Sequence, residues 1–132
     1  MSDCFVLDTS AILTLIEDEA GAERVAVVLQ EETVFLPWLV LMETYYISEQ
    51  ENGRAEADSR FALLKQVNAT ILWQATEPVT LTAARLKAAY QISLADAIIA
   101  AFTIQQDGIL LHKDPEFEMV GDRVTLEALP YK

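Results

Sequence analysis

Apolar and polar positions alternate along the chain in two rhythms, short apolar runs and longer stripes with a helical period. Phe5-Val6-Leu7 is a compact apolar run that stops at Asp8-Thr9-Ser10, a helix-start signal, and a helix is expected over Ala11 to Ile16. Gly21 breaks that helix, and Ala22, Val25, Ala26 and Leu29 form the next stripe at i, i+3, i+4, i+7. Thr33 to Leu36 is β-branched and aromatic and predicts a strand. Pro37 suits the first position of a helix running from Trp38 to about Gln50, which Asn52-Gly53 ends. Arg54 to Asn68 predicts a helix with Ala57, Phe61 and Leu64 on one side, followed by a strand over Thr70 to Trp73. Pro78 to Tyr90 is helical in pattern, with Leu81, Ala84 and Ala88 aligned. A further helix starts at Ser93, runs to Gln106 and ends at Gly108. Ile109-Leu110-Leu111 and Val124 to Leu129 are the remaining strand candidates. Strands alternating with helices imply crossover connections and a mainly parallel sheet. The expected fold is therefore α/β, a three-layer α/β/α sandwich.

Three acids break this pattern. Asp8 is the only charged residue between Asp3 and Glu17, Glu43 the only one between Glu32 and Glu49, and Asp96 the only one between Lys87 and Asp107. Each lies in an apolar segment expected to pack inside, where an unpaired carboxylate is costly. No basic residue is similarly embedded: Arg24, Arg54, Arg60, Lys65, Arg85, Lys87 and Arg123 all lie in polar stretches. A cation from solvent would relieve the strain, and oxygen-only ligation selects a hard ion, Mg²⁺ or Mn²⁺. Asp8 directly follows the first strand and Asp114 closely follows Ile109-Leu110-Leu111. In an open parallel sheet those carboxyl ends share the edge where ligands bind. Asp96 lies in the first turn of its helix, so four acids from four elements are expected to converge on one crevice.

Each aspartate also has a local structural reading. Asp8-Thr9-Ser10 and Ser93-Leu94-Ala95-Asp96 fit capping patterns, and Lys113-Asp114-Pro115 is ordinary turn chemistry. Glu43 has no such alternative. His112, the only histidine, is expected to be a strand-end residue with a satisfied side chain. Trp38, Tyr45 and Tyr46 read as helix core or an interface, and Glu17-Asp18-Glu19 as a solvated helix end.

Composition narrows the function. The 132 residues suit one domain, since domains peak at about 100–150 residues. A hydrophobic fraction of 52% excludes intrinsic disorder, and a single cysteine, Cys4, excludes an internal disulfide or a Cys-rich zinc module. No run approaches the roughly 20 apolar residues of a membrane span. The opening MSDCFVLD lacks the basic stretch of a secretory signal, so a cytoplasmic protein is expected. A net charge of −12 argues against general duplex-DNA binding, which needs a basic face. There is no Gly-rich phosphate loop, no zinc spacing and no serine elbow.

Four segments resemble the motifs of PIN-domain proteins. Phe5-Val6-Leu7-Asp8-Thr9-Ser10-Ala11-Ile12-Leu13 looks like the opening motif, and Leu41-Met42-Glu43-Thr44 is similar to the second. Ser93 through Ala101 resembles the third, the most specific of the set, and Leu110 through Phe117 the fourth. In the fourth, His112 stands where a small hydroxyl residue is usual and Glu116 where a second Asp is usual. Order, spacing and length match best the small proteins that include VapC-type toxins.

The resemblance implies a metal-dependent ribonuclease with Asp8, Glu43, Asp96 and Asp114 as catalytic acids and metal ligands. Asp8 and Asp96 would be the main ligands, Glu43 would bind metal or orient water, and Asp114 would support a second metal or the water. Ser10 and Ser93 would hold carboxylates or a metal-bound water, Lys113 would meet a phosphate, and Glu116 would supplement Asp114 through water. The expected reaction is in-line hydrolysis of an RNA phosphodiester, leaving a 5′-phosphate and a 3′-hydroxyl. A homodimer and a small antitoxin partner are also implied. Rival readings are a phosphatase with Asp8 as nucleophile, which lacks the second acid because Ser10 stands there, a PIN-fold binding module without turnover, and a domain whose acids are only caps.

Overall fold

The computed structural model describes residues 3–132; Met1 and Ser2, which begin the MSDCFVLD stretch, lie outside the described residues. Five strands form one sheet: β1 (Cys4–Leu7), β2 (Thr33–Pro37), β3 (Thr70–Leu72), β4 (Ile109–His112) and β5 (Thr125–Ala128). All four pairings are parallel, in the order β3-β2-β1-β4-β5. The helices are α1 (Thr9–Ile16), α2 (Ala22–Glu31), α3 (Trp38–Asn52), α4 (Arg54–Leu64), α5 (Glu77–Ala89) and α6 (Leu94–Gln105), with a 3₁₀ turn over Pro115–Val120. The first three strands progress one way across the sheet, and β4 then returns to the other side of β1. Right-handed crossovers therefore put α1 to α4 on one face and α5 and α6 on the other, completing the expected α/β/α sandwich.

The central strands are apolar because both faces are covered. Val6, Leu7, Leu36, Leu110 and Leu111 are fully buried, and Ile12, Val25, Val40, Leu86 and Ile99 pack on them from the helices. Gly21 opens α2 at φ 102°, where a side chain is strained, and a Cβ there would press on Leu129 and Pro130 at 3.1 and 3.2 Å.

Several elements differ from the sequence reading. The buried face of α5 is Val79, Ala83 and Leu86, whereas Leu81 is 45% exposed and Ala84 and Ala88 also face solvent. The helix is rich enough in alanine to offer two stripes, and packing against α6 selects the one with the larger side chains. On α2 the buried stripe is Ala22, Val25, Val28 and Leu29, with Ala26 only half-buried. Pro37 closes β2 in extended conformation (φ −60°, ψ 144°) rather than opening α3, whose first residue is Trp38. Helix α4 stops at Leu64, short of Asn68. The 3₁₀ turn after Asp114 was not expected from the pattern.

No helix among the described residues is long and apolar enough to cross a membrane.

Candidate active site

The strand order reverses between β1 and β4, and the crevice lies at the carboxyl ends of that pair, where α/β sheets bind ligands. Leu7 is in register with Leu111, and the Asp8 amide donates to the Leu111 carbonyl at 3.0 Å, so the two strands end together. Asp8 then caps α1. Its Oδ2 accepts from the Ser10 amide at 3.0 Å and from the Ser10 hydroxyl at 2.5 Å. The same Ser10 Oγ accepts from the Lys113 amide at 2.8 Å, which ties the end of β4 to the Asp8 carboxylate. The expected holding role of Ser10 thus has a concrete geometry.

Asp8 Oδ1 is buried and has no hydrogen-bond partner among the described residues. Burial pushes the Asp8 carboxyl up to about 6, opposed by the two Ser10 hydrogen bonds and reinforced by the negative charges of Glu43 and Asp114. Asp96 sits in the first turn of α6, which Ser93 caps by accepting the Asp96 amide at 3.1 Å. Its side chain is buried among carboxylates. Burial, then Asp8, Asp114, Glu116 and Glu43 in that order, raise its pKa well above the usual carboxylate range.

Asp114 is half-buried and caps the 3₁₀ turn, its Oδ1 accepting the Glu116 amide at 2.9 Å. Glu116 in turn accepts the Ser93 amide at 2.6 Å, joining the turn to the start of α6. Phe117, fully buried, anchors the turn below. One carboxylate oxygen from each of Asp96, Asp114 and Glu116 lies within 4.8 Å of the others, close enough to share one ion. Glu116, expected only as a supplement, is therefore a full member of this cluster.

Two expectations about burial need correction. Glu43 is half-buried rather than enclosed, because it sits at the crevice-facing edge of α3. It has a partner that the sequence did not disclose: the buried Thr9 hydroxyl donates to Glu43 Oε1 at 2.6 Å. Thr9 is the positioning residue missed by the sequence reading; its place in the first turn after Asp8 was the available signal. One base, moreover, is embedded. The Lys113 side chain is only 5% exposed, carried inward at the end of β4, with its ammonium 3.7 Å from Glu19.

His112 is fully buried, and its Nδ1 accepts the Asp114 amide at 3.1 Å. Burial lowers its pKa, so the ring is neutral, and Nε2, which carries the proton, has no partner. The expected satisfied side chain is thus satisfied at one nitrogen only. The ring packs edge-on to Phe117 at 5.2 Å and supports the turn. Trp38, Tyr45 and Tyr46 lie away from the crevice, lining an apolar groove with Met42, Phe61 and Trp73.

The donor set fits a hard divalent ion. Every oxygen in the cluster is a carboxylate, and the orphaned Asp8 Oδ1 is a buried anion with an open valence.

No curated protein matches the chain in sequence. Among solved structures, VapBC2 from Rickettsia felis, bound to a DNA fragment from its promoter, superposes with a TM-score of 0.79 at 15% identity, covering 96% of this chain and 99% of that one. VapBC-1 from nontypeable Haemophilus influenzae gives 0.74 at 20% identity over 95% and 97%. VapC20 of Mycobacterium tuberculosis, described as a Sarcin-Ricin loop cleaving toxin, gives 0.74 at 16% identity over 96% and 99%. At these identities the likeness establishes the fold. The PIN domain family model matches residues 5–122, from the first strand through the cluster around Asp114, and the chain belongs to that family.

Proposed function

We propose that the protein is a metal-dependent endoribonuclease of the VapC type. The observation that carries this reading is the buried, unpartnered Asp8 Oδ1 beside an Asp96 whose ionisation is opposed by four other acids. No ammonium or guanidinium among the described residues pairs with these acids, so a divalent cation is the natural partner. Asp8, Asp96, Asp114 and Glu116 would hold Mg²⁺ or Mn²⁺, with Glu43 orienting water from the opposite wall. When bound, such an ion offsets phosphate charge and acidifies water.

The chain's own residues supply order. Ser10 and Thr9 fix the Asp8 and Glu43 carboxylates before substrate arrives, so little reorganisation is left for the reaction. Ser93 fixes both the start of α6 and Glu116. Unpaired, the same acids would repel an RNA phosphate, so the ion they would hold is also what would admit one.

The VapBC structures support a small antitoxin as partner, in a cytoplasmic toxin–antitoxin pair. The exposed Met42, Tyr46 and Trp73 around the apolar groove support a homodimer. The decisive test is cleavage of a structured RNA pool with Mn²⁺ or Mg²⁺, run beside EDTA and Asp96→Asn. Cleavage lost in both controls is expected, with 5′-phosphate ends. Absence of both cleavage and metal binding would sink the reading and favour a binding module.

A further inference from the structure

A cavity of about 440 Å³ opens beside the acids, between the end of α1, the turn after β4 and the segment following β5. Ser10 and Asp114 form its inner wall, so it is continuous with the crevice. Deeper in the wall is Lys113, a base with a side chain 95% buried by its 5% exposure. Its only ion pair among the described residues is the loose 3.7 Å contact with Glu19, beyond hydrogen-bond length. The covered stem thus brings a loosely partnered ammonium to the cavity wall, where a better anion can reach it.

Glu19 does not satisfy Lys113 because it is shared. Its other oxygen pairs with Lys132 at 2.8 Å, across the same cavity. The end of α1 holds Glu19 in this place: Asp18 turns left-handed at φ 52°, and the Glu19 amide donates to the Thr14 carbonyl at 3.0 Å. One carboxylate thus lies between two ammonium groups, in the arrangement a phosphodiester would take with its two free oxygens. Glu17 and Glu51 also line the cavity and make it acidic on balance. An added anion is therefore opposed, and a phosphate gains the lysines only by exchanging with Glu19.

We propose that this cavity is an anion subsite for the RNA phosphate neighbouring the one cleaved, with Lys113 and Lys132 as its cations and the Glu19 carboxylate as a displaceable resident. The inference rests on the ribonuclease reading for the identity of the ligand, and on the cavity alone for the subsite. It explains how so acidic a protein holds RNA: the cations that contact phosphate are kept paired with Glu19 until substrate competes for them.

The test is a titration of the metal-free protein with inorganic phosphate, followed by NMR at the Lys113 amide, for wild type, Glu19→Gln, Glu19→Gln/Lys113→Gln and Glu19→Gln/Lys132→Ala. Removing the resident carboxylate is expected to tighten phosphate about fivefold, the size of one exposed charge contact. Both double variants are expected to lose that gain. Lys132 is 75% exposed, so its removal leaves the fold intact even if the Lys113 variant unfolds. No gain in Glu19→Gln, or a gain that survives loss of Lys132, overturns the subsite. In parallel, Mn²⁺-dependent RNA cleavage by Glu19→Gln should show a lowered KM with kcat unchanged. Cleavage by the wild type without the phosphate gain removes the subsite and leaves the nuclease standing. A phosphate gain with no cleavage by any variant overturns the RNA assignment together with the nuclease reading.

Discussion

Thr9 and Glu43 face each other across the crevice, the threonine hydroxyl donating to the glutamate at 2.6 Å from 34 residues away in sequence. The bond links the first turn of α1 to α3 and aims a half-buried acid that nothing else holds. Thr9→Val keeps the shape and deletes the donor. It is expected to cost about 1 kcal/mol of stability. Metal-dependent cleavage should fall roughly tenfold or more while the fold persists, as expected for a misaimed catalytic group. Thermal melts beside cleavage rates check both; an unchanged rate would show that Glu43 needs no fixed orientation.

The buried acids set a pH dependence of unusual sign. Asp8 titrates at about 6 in the folded chain, against about 3.9 when unfolded. Below the unfolded value both states are protonated and nothing is lost. Between the two values only the folded state keeps the proton, so stability falls as pH rises, and the loss is complete above the folded pKa. Asp96, also raised, extends the decline upward. Melting in EDTA should therefore drop between about pH 4 and 8. Saturating Mn²⁺ should flatten the decline and release protons on binding.

Asp8→Asn separates charge from shape. In EDTA at pH 8 the variant should be more stable than the wild type by about 1–3 kcal/mol, because a buried uncompensated charge is removed. In Mn²⁺ the order should reverse, since the variant has lost the ligand. Denaturant melts with and without metal read the crossing; a variant destabilised in both conditions would mean that Asp8 serves only as a cap.

Phe117 fastens the turn that carries Asp114 and Glu116, and it is fully buried against the His112 ring. Phe117→Leu should cost about 1–1.5 kcal/mol. If the turn positions metal ligands, Mn²⁺ affinity should drop severalfold more than in a core variant of similar cost in α5, such as Leu86→Met. Isothermal titration on the two proteins makes the comparison.

Much of this was legible in the sequence because it is local. Asp8 and Ser93 announce themselves as caps, and the apolar runs around them show that the neighbouring acids are enclosed. The strand-helix alternation gave the layers. What stayed hidden depends on chain segments meeting at a distance. The face of α5 is chosen by α6, since Leu81 and Leu86 are equal candidates until a neighbour arrives. Thr9 finds Glu43 only when α1 and α3 pack. Lys113 looked like a turn residue until the end of β4 carried it under the surface. Glu116 joined the cluster because a 3₁₀ turn, bonded by weak local contacts, brings it back towards Ser93.

The return of β4 to the middle of the sheet has a bearing on synthesis. The strand beside β1 is among the last to emerge from the ribosome, about a hundred residues after its neighbour. Asp8 and Glu43 are made early, yet they wait without Asp114 and Glu116 until β4 slides in. A nascent or truncated chain ending before β4 therefore lacks Asp114 and Glu116, and on the proposed reading it would carry half a metal site and no nuclease activity. On that reading competence would be gated by completion of the chain, before any partner protein had to act.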